Sequence, residues 1–402
     1  MERQPPHLPG HTGRLLTVDI NGLQMAEVPV GFDPETIQDL RLRLRHWRMA
    51  PDLGQGWERG APRSWVTDLV RDWSQFEVDA LQSQLDALTH YQVQIGDQRV
   101  HVVRIVGSGP SPIPLVLTHG WPGSFLEYLR LIPLLTDPEP HGIHTTETFT
   151  LIIPSLPGFG FSGPPPNQGR TAREVAGIWH RLMVDGFGYQ HFAAHGGDLG
   201  AGVTSWLARD YPKNVAGIHL STPGLSVPAD HRSEAEEDFA EETNHWLTDE
   251  GGYMHEHSTK PATLAAALSD SPAGLATWIG EKVVAWSSER ENGDPAFDRD
   301  LLLATLTLYW ATNTAATSLL PYWASQHSVA ALPADTPPPV PTAITVFGGE
   351  RVPFPKPPRE LAERYFNIAS WSEHQVGGHF PAVAEPEILA DEIRRFFRAL
   401  PG

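Results

Sequence analysis

The stretch His195-Gly196-Gly197-Asp198-Leu199-Gly200-Ala201-Gly202 decides the fold. An apolar, strand-like approach (Phe192 to Ala194) runs into it, and Val203-Thr204-Ser205-Trp206-Leu207-Ala208 reads as a helix leaving it. Gly196 and Gly200 flank Asp198 at two residues on either side. That is the spacing of a nucleophile elbow, a strained strand-to-helix turn that pushes one side chain into the open. Glycine is needed there because the backbone passes its neighbours too closely for a Cβ. The central residue is neither Ser nor Cys. A carboxylate at an elbow is expected to attack an alkyl carbon, giving an ester on the protein whose carbonyl water must then attack. The second step requires a base for the water and two N–H donors for the oxyanion. The bland alternative is that Asp198 merely caps the helix.

Outward from the elbow, short apolar strands alternate with helical patterns. Ile113 to Leu117, Thr148 to Ile153 and Val215 to Leu220 read as buried strands, and Phe125 to Leu135 and Ala172 to Asp185 as helices. This alternation predicts a doubly wound, mostly parallel α/β sheet, an α/β-hydrolase core. Residues 226–335 break the rhythm with helical stretches only, including Asp298 to Tyr322, and read as a helical lid. The proline-rich run Ala331 to Pro341 reads as a linker. Strands at Thr342–Phe347 and Asn367–Trp371 then resume the core, and Pro386 to Phe397 closes it with an amphipathic helix. The expected division is therefore 1–105 as an N-terminal wrapping segment, 106–225 as the first part of the core, 226–335 as the lid and 336–402 as the second part. The N-terminal segment carries a strand-like run at Leu15 to Ile20, a helix opened by Asp33 and Pro34, a hairpin from Tyr91 to Ile105, and Trp47, Trp57, Trp65 and Trp73, which are expected to pack rather than to bind.

Three further features fit an Asp198 nucleophile. His379, in Gly377-Gly378-His379-Phe380, follows the last strand and precedes the last helix, where this fold places its base. Glu350 follows the strand Ile344-Thr345-Val346-Phe347 and is expected to accept from His379 and orient it. Glu360 and Glu373 are its rivals. The order nucleophile, acid, histidine is the order of this fold. His119-Gly120-Trp121-Pro122 follows a buried strand, so the N–H groups of Trp121 and Leu199 are expected to form the oxyanion hole.

The net charge is −19, which argues against nucleic acid and anionic membranes as partners. The chain has no cysteine, which excludes disulfides, thiolate catalysis and Cys-ligated zinc. With no signal peptide visible and no run of 18 apolar residues, a cytoplasmic protein is expected. No metal or organic cofactor is required by the chemistry above. A homodimer is left open.

Together, Thr118-His119-Gly120-Trp121-Pro122-Gly123-Ser124, Pro154-Ser155-Leu156-Pro157-Gly158-Phe159-Gly160-Phe161-Ser162, Gly196-Gly197-Asp198, Phe347-Gly348-Gly349-Glu350 and Gly377-Gly378-His379-Phe380 resemble the microsomal-type epoxide hydrolase family with its N-terminal epoxide hydrolase domain. The resemblance covers nearly the whole chain. It implies conversion of an epoxide to a vicinal diol, with a small-molecule epoxide and water as substrates. Family members act in detoxification or in secondary metabolism. It also implies two lid tyrosines that hold and protonate the epoxide oxygen. Gly252-Tyr253-Met254-His255 and Leu320-Pro321-Tyr322 match, giving Tyr253 and Tyr322. Without the resemblance, Tyr91, Tyr128, Tyr189, Tyr309 and Tyr365 would be equal candidates. The chain departs from the family pattern in three places. Leu199 stands where relatives usually carry Trp, the run after Trp73 differs, and the loop after Glu350, with Pro353, Pro355, Pro357 and Pro358, is longer. The alternatives are a haloalkane or haloacid dehalogenase using the same Asp, Glu and His, and a non-catalytic ligand-binding protein of the same fold.

Overall fold

The computed structural model describes residues 18–400, apart from 21, 55, 167, 231, 291–294 and 330. A ten-stranded sheet runs through it in the spatial order β1-β2-β3-β4-β6-β5-β7-β8-β9-β10. These strands are β1 (Val18–Ile20), β2 (Leu23–Glu27), β3 (His90–Ile95), β4 (Gln98–Ile105), β5 (Ile113–Thr118), β6 (Phe149–Pro154), β7 (Phe192–Gly197), β8 (Val215–Ser221), β9 (Pro341–Gly348) and β10 (Asn367–Gly377). The first four pair antiparallel, and β4 meets β6 antiparallel; from β6 to β10 every pairing is parallel. This is the expected α/β-hydrolase fold. Helices cover both faces of the inner parallel strands, so those strands are largely buried: all six residues of β6 are buried.

The N-terminal segment supplies β1 to β4 of the sheet and also packs on the helices between β8 and β9. The helix Pro34–Arg45 starts where Asp33 accepts from the Thr36 N–H, with Pro34 in the first turn. Trp73 is buried and donates its indole N–H to Thr307, and Gly280 is packed so tightly on Trp65 that a Cβ would meet the ring. These tryptophans pack. Residues 15–17 of the expected first strand lie outside the described residues.

Between β8 and β9 the chain forms helices at Glu234–Asp249, Gly252–Thr259, Pro261–Asp270, Pro272–Trp286, Arg299–Ala311 and Leu320–Gln326. The first starts at a reciprocal cap in which Ser233 and Glu236 satisfy each other's backbone N–H. The single helical stretch expected over Asp298–Tyr322 is broken. The helix stops at Ala311, Asn313 takes a positive φ of 53°, and a new helix begins at Leu320 with Pro321 in its first turn. Phe125–Leu135 is likewise two pieces, a tight turn at Phe125–Tyr128 and a helix at Leu131–Thr136. The last strand, expected to stop at Trp371, continues to Gly377. Its second half, Ser372-Glu373-His374-Gln375, lacks apolar alternation because this edge strand pairs on one side only.

Thr118, Pro154, Gly197, Ser221, Gly348 and Gly377 end parallel strands at the same edge of the sheet. Loops at that carboxyl edge are where such sheets hold their ligands.

Candidate active site

The elbow is as tight as its glycines imply. A Cβ on Gly196 would run into the Gly200 carbonyl and lie 2.7 Å from the Thr204 hydroxyl, and one on Gly200 would run into the carbonyl of Thr118. Asp198 itself takes φ 52° and ψ −128°, a conformation that a non-glycine residue adopts only when its surroundings enforce it. The turn presents the carboxylate to two backbone donors. Trp121 N–H donates to Asp198 Oδ1 at 2.9 Å and Leu199 N–H donates to the same oxygen at 2.7 Å. The two N–H groups expected to form the oxyanion hole therefore converge on one carboxylate oxygen, and the change from Trp to Leu at position 199 leaves its N–H in place.

The Trp121 loop is held by His119. This buried imidazole donates from Nδ1 to the Gly120 carbonyl at 3.0 Å, and its Nε2 accepts the Leu156 N–H at 3.1 Å. Burial pushes its pKa down to about 4, so the neutral tautomer that bridges the two loops persists at working pH.

His379 Nε2 lies 3.3 Å from Asp198 Oδ2. Its loop turns through Gly377 and Gly378, with φ of 99° and 59°. A Cβ on Gly378 would also come within 2.8 Å of the Trp286 carbonyl and the Ser288 N–H, so both conformation and space select glycine. The His379 N–H donates to Trp286 O at 3.0 Å, and the ring packs between Trp286 and Phe380.

Glu350 follows β9 in the neighbouring loop. Gly378 N–H donates to Gly348 O at 3.0 Å, tying the two loops together. The Glu350 side chain is only 2% exposed, but its carboxylate is engaged by the Lys356 ammonium, and His379 Nδ1 has no hydrogen-bond partner among the described residues. The expected His379–Glu350 hydrogen bond is thus not made in this structure. The cause is the proline-rich loop after Glu350, which folds back and delivers Lys356 to the acid. The rivals are committed elsewhere. Glu360 accepts from the Ser233 hydroxyl, and Glu373 accepts from the Trp371 indole.

Tyr253 and Tyr322, 6% and 9% exposed, come together over Trp121. The Tyr253 ring stacks on the Trp121 indole at 5.2 Å and 11°, and the Tyr322 ring stands 6.0 Å from Tyr253 and 6.1 Å from Trp121. Burial pushes both phenols well above their usual pKa, and the Asp198 charge adds to this. Other candidate tyrosines are spent on carbonyls: Tyr128 on Thr118, Tyr309 on Gly123 and Tyr365 on Ser226. Tyr91 packs on Phe187, and the Tyr189 hydroxyl accepts from Arg104.

Two residues at the site carry no clear signal in the sequence. Glu127 sits in the tight turn after Trp121-Pro122 with its carboxyl against Gly123. It lines a cavity of about 30 Å³ together with Asp198, His379, Tyr128, His195 and Ser221. A water needs roughly 10–15 Å³ on this measure, so the cavity has room for about two. Burial pushes the Glu127 carboxyl up to about 8, with the Asp198 charge adding and hydrogen bonding with Tyr128 opposing. Neither Tyr253 nor Tyr322 lines this cavity. The second residue is His257, one helical turn after Tyr253. Its ring stands 4.8 Å from Trp121, 5.5 Å from Tyr253 and 4.9 Å from Tyr322. A larger cleft, about 840 Å³, opens between residues 47–66 and the helix Pro272–Trp286. Trp278 lines it, but Asp198, His379 and the two tyrosines do not.

Comparison with known proteins gives one direction. Residues 25–128 match a family model described as the epoxide hydrolase N terminus, and residues 113–250 match the alpha/beta hydrolase fold. The chain is 32% identical to epoxide hydrolase 1 of Sus scrofa over 403 residues, covering 91% of this chain and 87% of that protein. It is also 32% identical to the juvenile hormone epoxide hydrolase of Bombyx mori over 397 residues, covering 90% and 84%. The crystal structure of the silkworm enzyme superimposes with a TM-score of 0.80, covering 96% of this chain and 95% of that one. The structure of Aspergillus niger epoxide hydrolase gives 0.81 at 26% identity, covering 93% and 96%.

Proposed function

The chain belongs to the microsomal-type epoxide hydrolase family, and from that premise we propose that it converts its epoxide to a vicinal diol through an alkyl ester on Asp198. The observation that carries this reading is the convergence of the Trp121 and Leu199 N–H groups on Asp198 Oδ1, with His379 3.3 Å from the other oxygen. A carboxylate so held has one oxygen fixed in a donor pair and one aimed outward.

In the first step Asp198 Oδ2 attacks a ring carbon. The epoxide C–O bond breaks, and Tyr253 or Tyr322 gives its hydroxyl proton to the forming alkoxide. The residues 226–335 act as the lid that brings both phenols over the nucleophile. Trp121, Trp286 and the two tyrosines give the site apolar walls, which suits an epoxide with an apolar substituent. In the second step His379 takes a proton from water, and the water oxygen adds to the Asp198 carboxyl carbon. The oxyanion forms on Oδ1, where two donors already point, so little reorganisation is needed. Collapse of this adduct expels the diol oxygen, which takes the proton back from His379, and the carboxylic acid left on Asp198 returns its proton through water to the tyrosinate, restoring both groups. The cavity lined by Glu127 and His379 supplies the water. Glu350 is the acid that orients His379 when its carboxylate is free of Lys356.

Intact mass spectrometry of His379→Ala after incubation with styrene oxide, 1,2-epoxyoctane and stilbene oxide tests this. Removing the base stalls the second step, so the protein gains the mass of one epoxide on the peptide holding Asp198, and Asp198→Ala gains nothing. Wild-type turnover without such an adduct in His379→Ala, or undiminished turnover by Asp198→Ala, refutes the mechanism.

A further inference from the structure

We propose that His257 is a further positioning residue, whose Nδ1–H donates a hydrogen bond to the phenolate left when a lid tyrosine protonates the opening epoxide; this rests on the two-step reading above. His257 is fully buried. The Trp278 indole N–H donates to His257 Nε2 at 3.1 Å. An indole nitrogen can only donate, so Nε2 must present its lone pair, and the proton of the neutral ring is then on Nδ1. Burial pushes the imidazole pKa down to about 3, so the ring stays neutral across the working range. The tautomer is therefore fixed by a neighbour rather than by solvent.

Nδ1 is buried and has no hydrogen-bond partner among the described residues. A buried N–H without a partner is costly, and a folded protein that keeps one calls for a reason. The rings around His257 are Trp121, Tyr253, Trp278 and Tyr322. The two indoles offer no acceptor. The acceptors that these rings carry are the two tyrosine hydroxyls, the groups that become strong acceptors when one loses its proton.

Burial and the Asp198 charge disfavour ionisation of both phenols, and only the hydrogen bond from the Tyr322 hydroxyl opposes this for Tyr253. The Lys282 ammonium faces the Tyr253 ring at 5.4 Å, but it is held by Glu250 and Glu281. A fixed neutral donor on a ring packed against both phenol rings meets the need without placing a second charge in the cage. Atoms balance without a further reagent. The epoxide C–O bond breaks, the Asp198 ester bond forms and the tyrosine proton goes to the alkoxide. The Nδ1 proton stays on His257 throughout.

The test is single-turnover kinetics with whichever of styrene oxide, 1,2-epoxyoctane and stilbene oxide the wild type consumes fastest, following ester formation and ester decay separately. His257→Met removes the donor and leaves only a weak thioether acceptor for the Trp278 indole. It should slow ester formation about 10- to 100-fold, the range for a hydrogen bond to a charged group, and leave ester decay within about threefold. His257→Gln, whose amide can accept from Trp278 and still donate, should recover most of the loss. Trp278→Phe, which frees the tautomer without altering His257, should slow ester formation severalfold and serves if His257→Met does not fold. Wild-type ester formation in His257→Met or, if that variant does not fold, in Trp278→Phe overturns the proposal. So does equal slowing of both steps, or a Gln variant no better than Met. Failure to trap any ester in His379→Ala overturns the underlying two-step reading, and this inference with it.

Discussion

Gly200→Ala changes one hydrogen to a methyl group at the closest approach in the elbow. The new Cβ would lie 2.7 Å from the Thr118 carbonyl carbon and 3.0 Å from the His119 carbonyl oxygen, with the Thr118 oxygen nearer still. Ordinary contact begins at 3.4 Å, so relieving the nearest of these atoms, the Thr118 oxygen, parts β5 and the helix Leu199–Asp210 by more than ~1 Å. All three obstructing atoms are backbone, two at the end of a strand paired on both sides and one in the residue after it, and cannot rotate away. Overpacking of this kind costs about 3 kcal/mol. At about 2.1 cal/mol/K per residue, such a loss lowers Tm by about 4 °C. The larger effect falls on chemistry. Leu199, whose N–H holds Asp198 Oδ1, is the adjacent residue, and the displaced loop carries Trp121. Misplacing a reacting group by about 1 Å costs on the order of 100-fold in rate. The assay is kcat/KM on an epoxide together with a thermal melt. Gly224→Ala is the control, since a Cβ there meets nothing within 4 Å. If Gly200→Ala keeps both Tm and kcat/KM at wild-type values, the close-packed elbow is not what positions Asp198.

If the cavity that Glu127 lines serves the water and not the epoxide, as proposed, Glu127→Gln should slow ester decay about tenfold while leaving ester formation unchanged. Stopped-flow separation of the two phases reads this, and equal phases in variant and wild type refute it. The buried histidines set an acid limit to stability. His119 and His195 titrate at about 4 and His257 at about 3 in the fold, against about 6.5 when unfolded. Their neutral forms contribute fully above pH 6.5, and the contribution is lost as pH falls towards the folded values, since only the unfolded chain then takes up protons. At pH 5 the loss is about 2 kcal/mol for each. Urea midpoints should therefore fall sharply between pH 7 and pH 5, and equal midpoints contradict the burial argument.

The features that the sequence makes legible are those with local causes. The elbow is readable because glycines two residues either side of Asp198 report a steric need confined to one turn. The Trp121 loop and the Gly377-Gly378 turn are readable for the same reason. Glu127 is hidden because Phe125-Leu126-Glu127-Tyr128 reads as the start of a continuous apolar helix, whereas the chain forms a tight turn and a separate short helix. The capture of Glu350 by Lys356 depends on how a loop with four prolines folds back, which spacing does not encode. His257 could have been found, since residues four apart on a helix share a face and Tyr253 precedes it by four. A lone histidine among nineteen gives no reason to look there without the cage of rings from Trp121, Trp278 and Tyr322, which lie far apart in the chain.

Trp121 carries two responsibilities in one residue. Its main chain faces Asp198 Oδ1, while its indole is the floor on which Tyr253 rests. Under the two-step reading the first belongs to the release of product and the second to the opening of the ring. The two half-reactions are thus mechanically geared through a single peptide unit. Reshaping the floor to admit a different epoxide also shifts the donor that later discharges the ester. Selection for a new substrate is then felt first as a product that leaves slowly, and its remedy lies in the backbone around His119 rather than in the walls of the pocket.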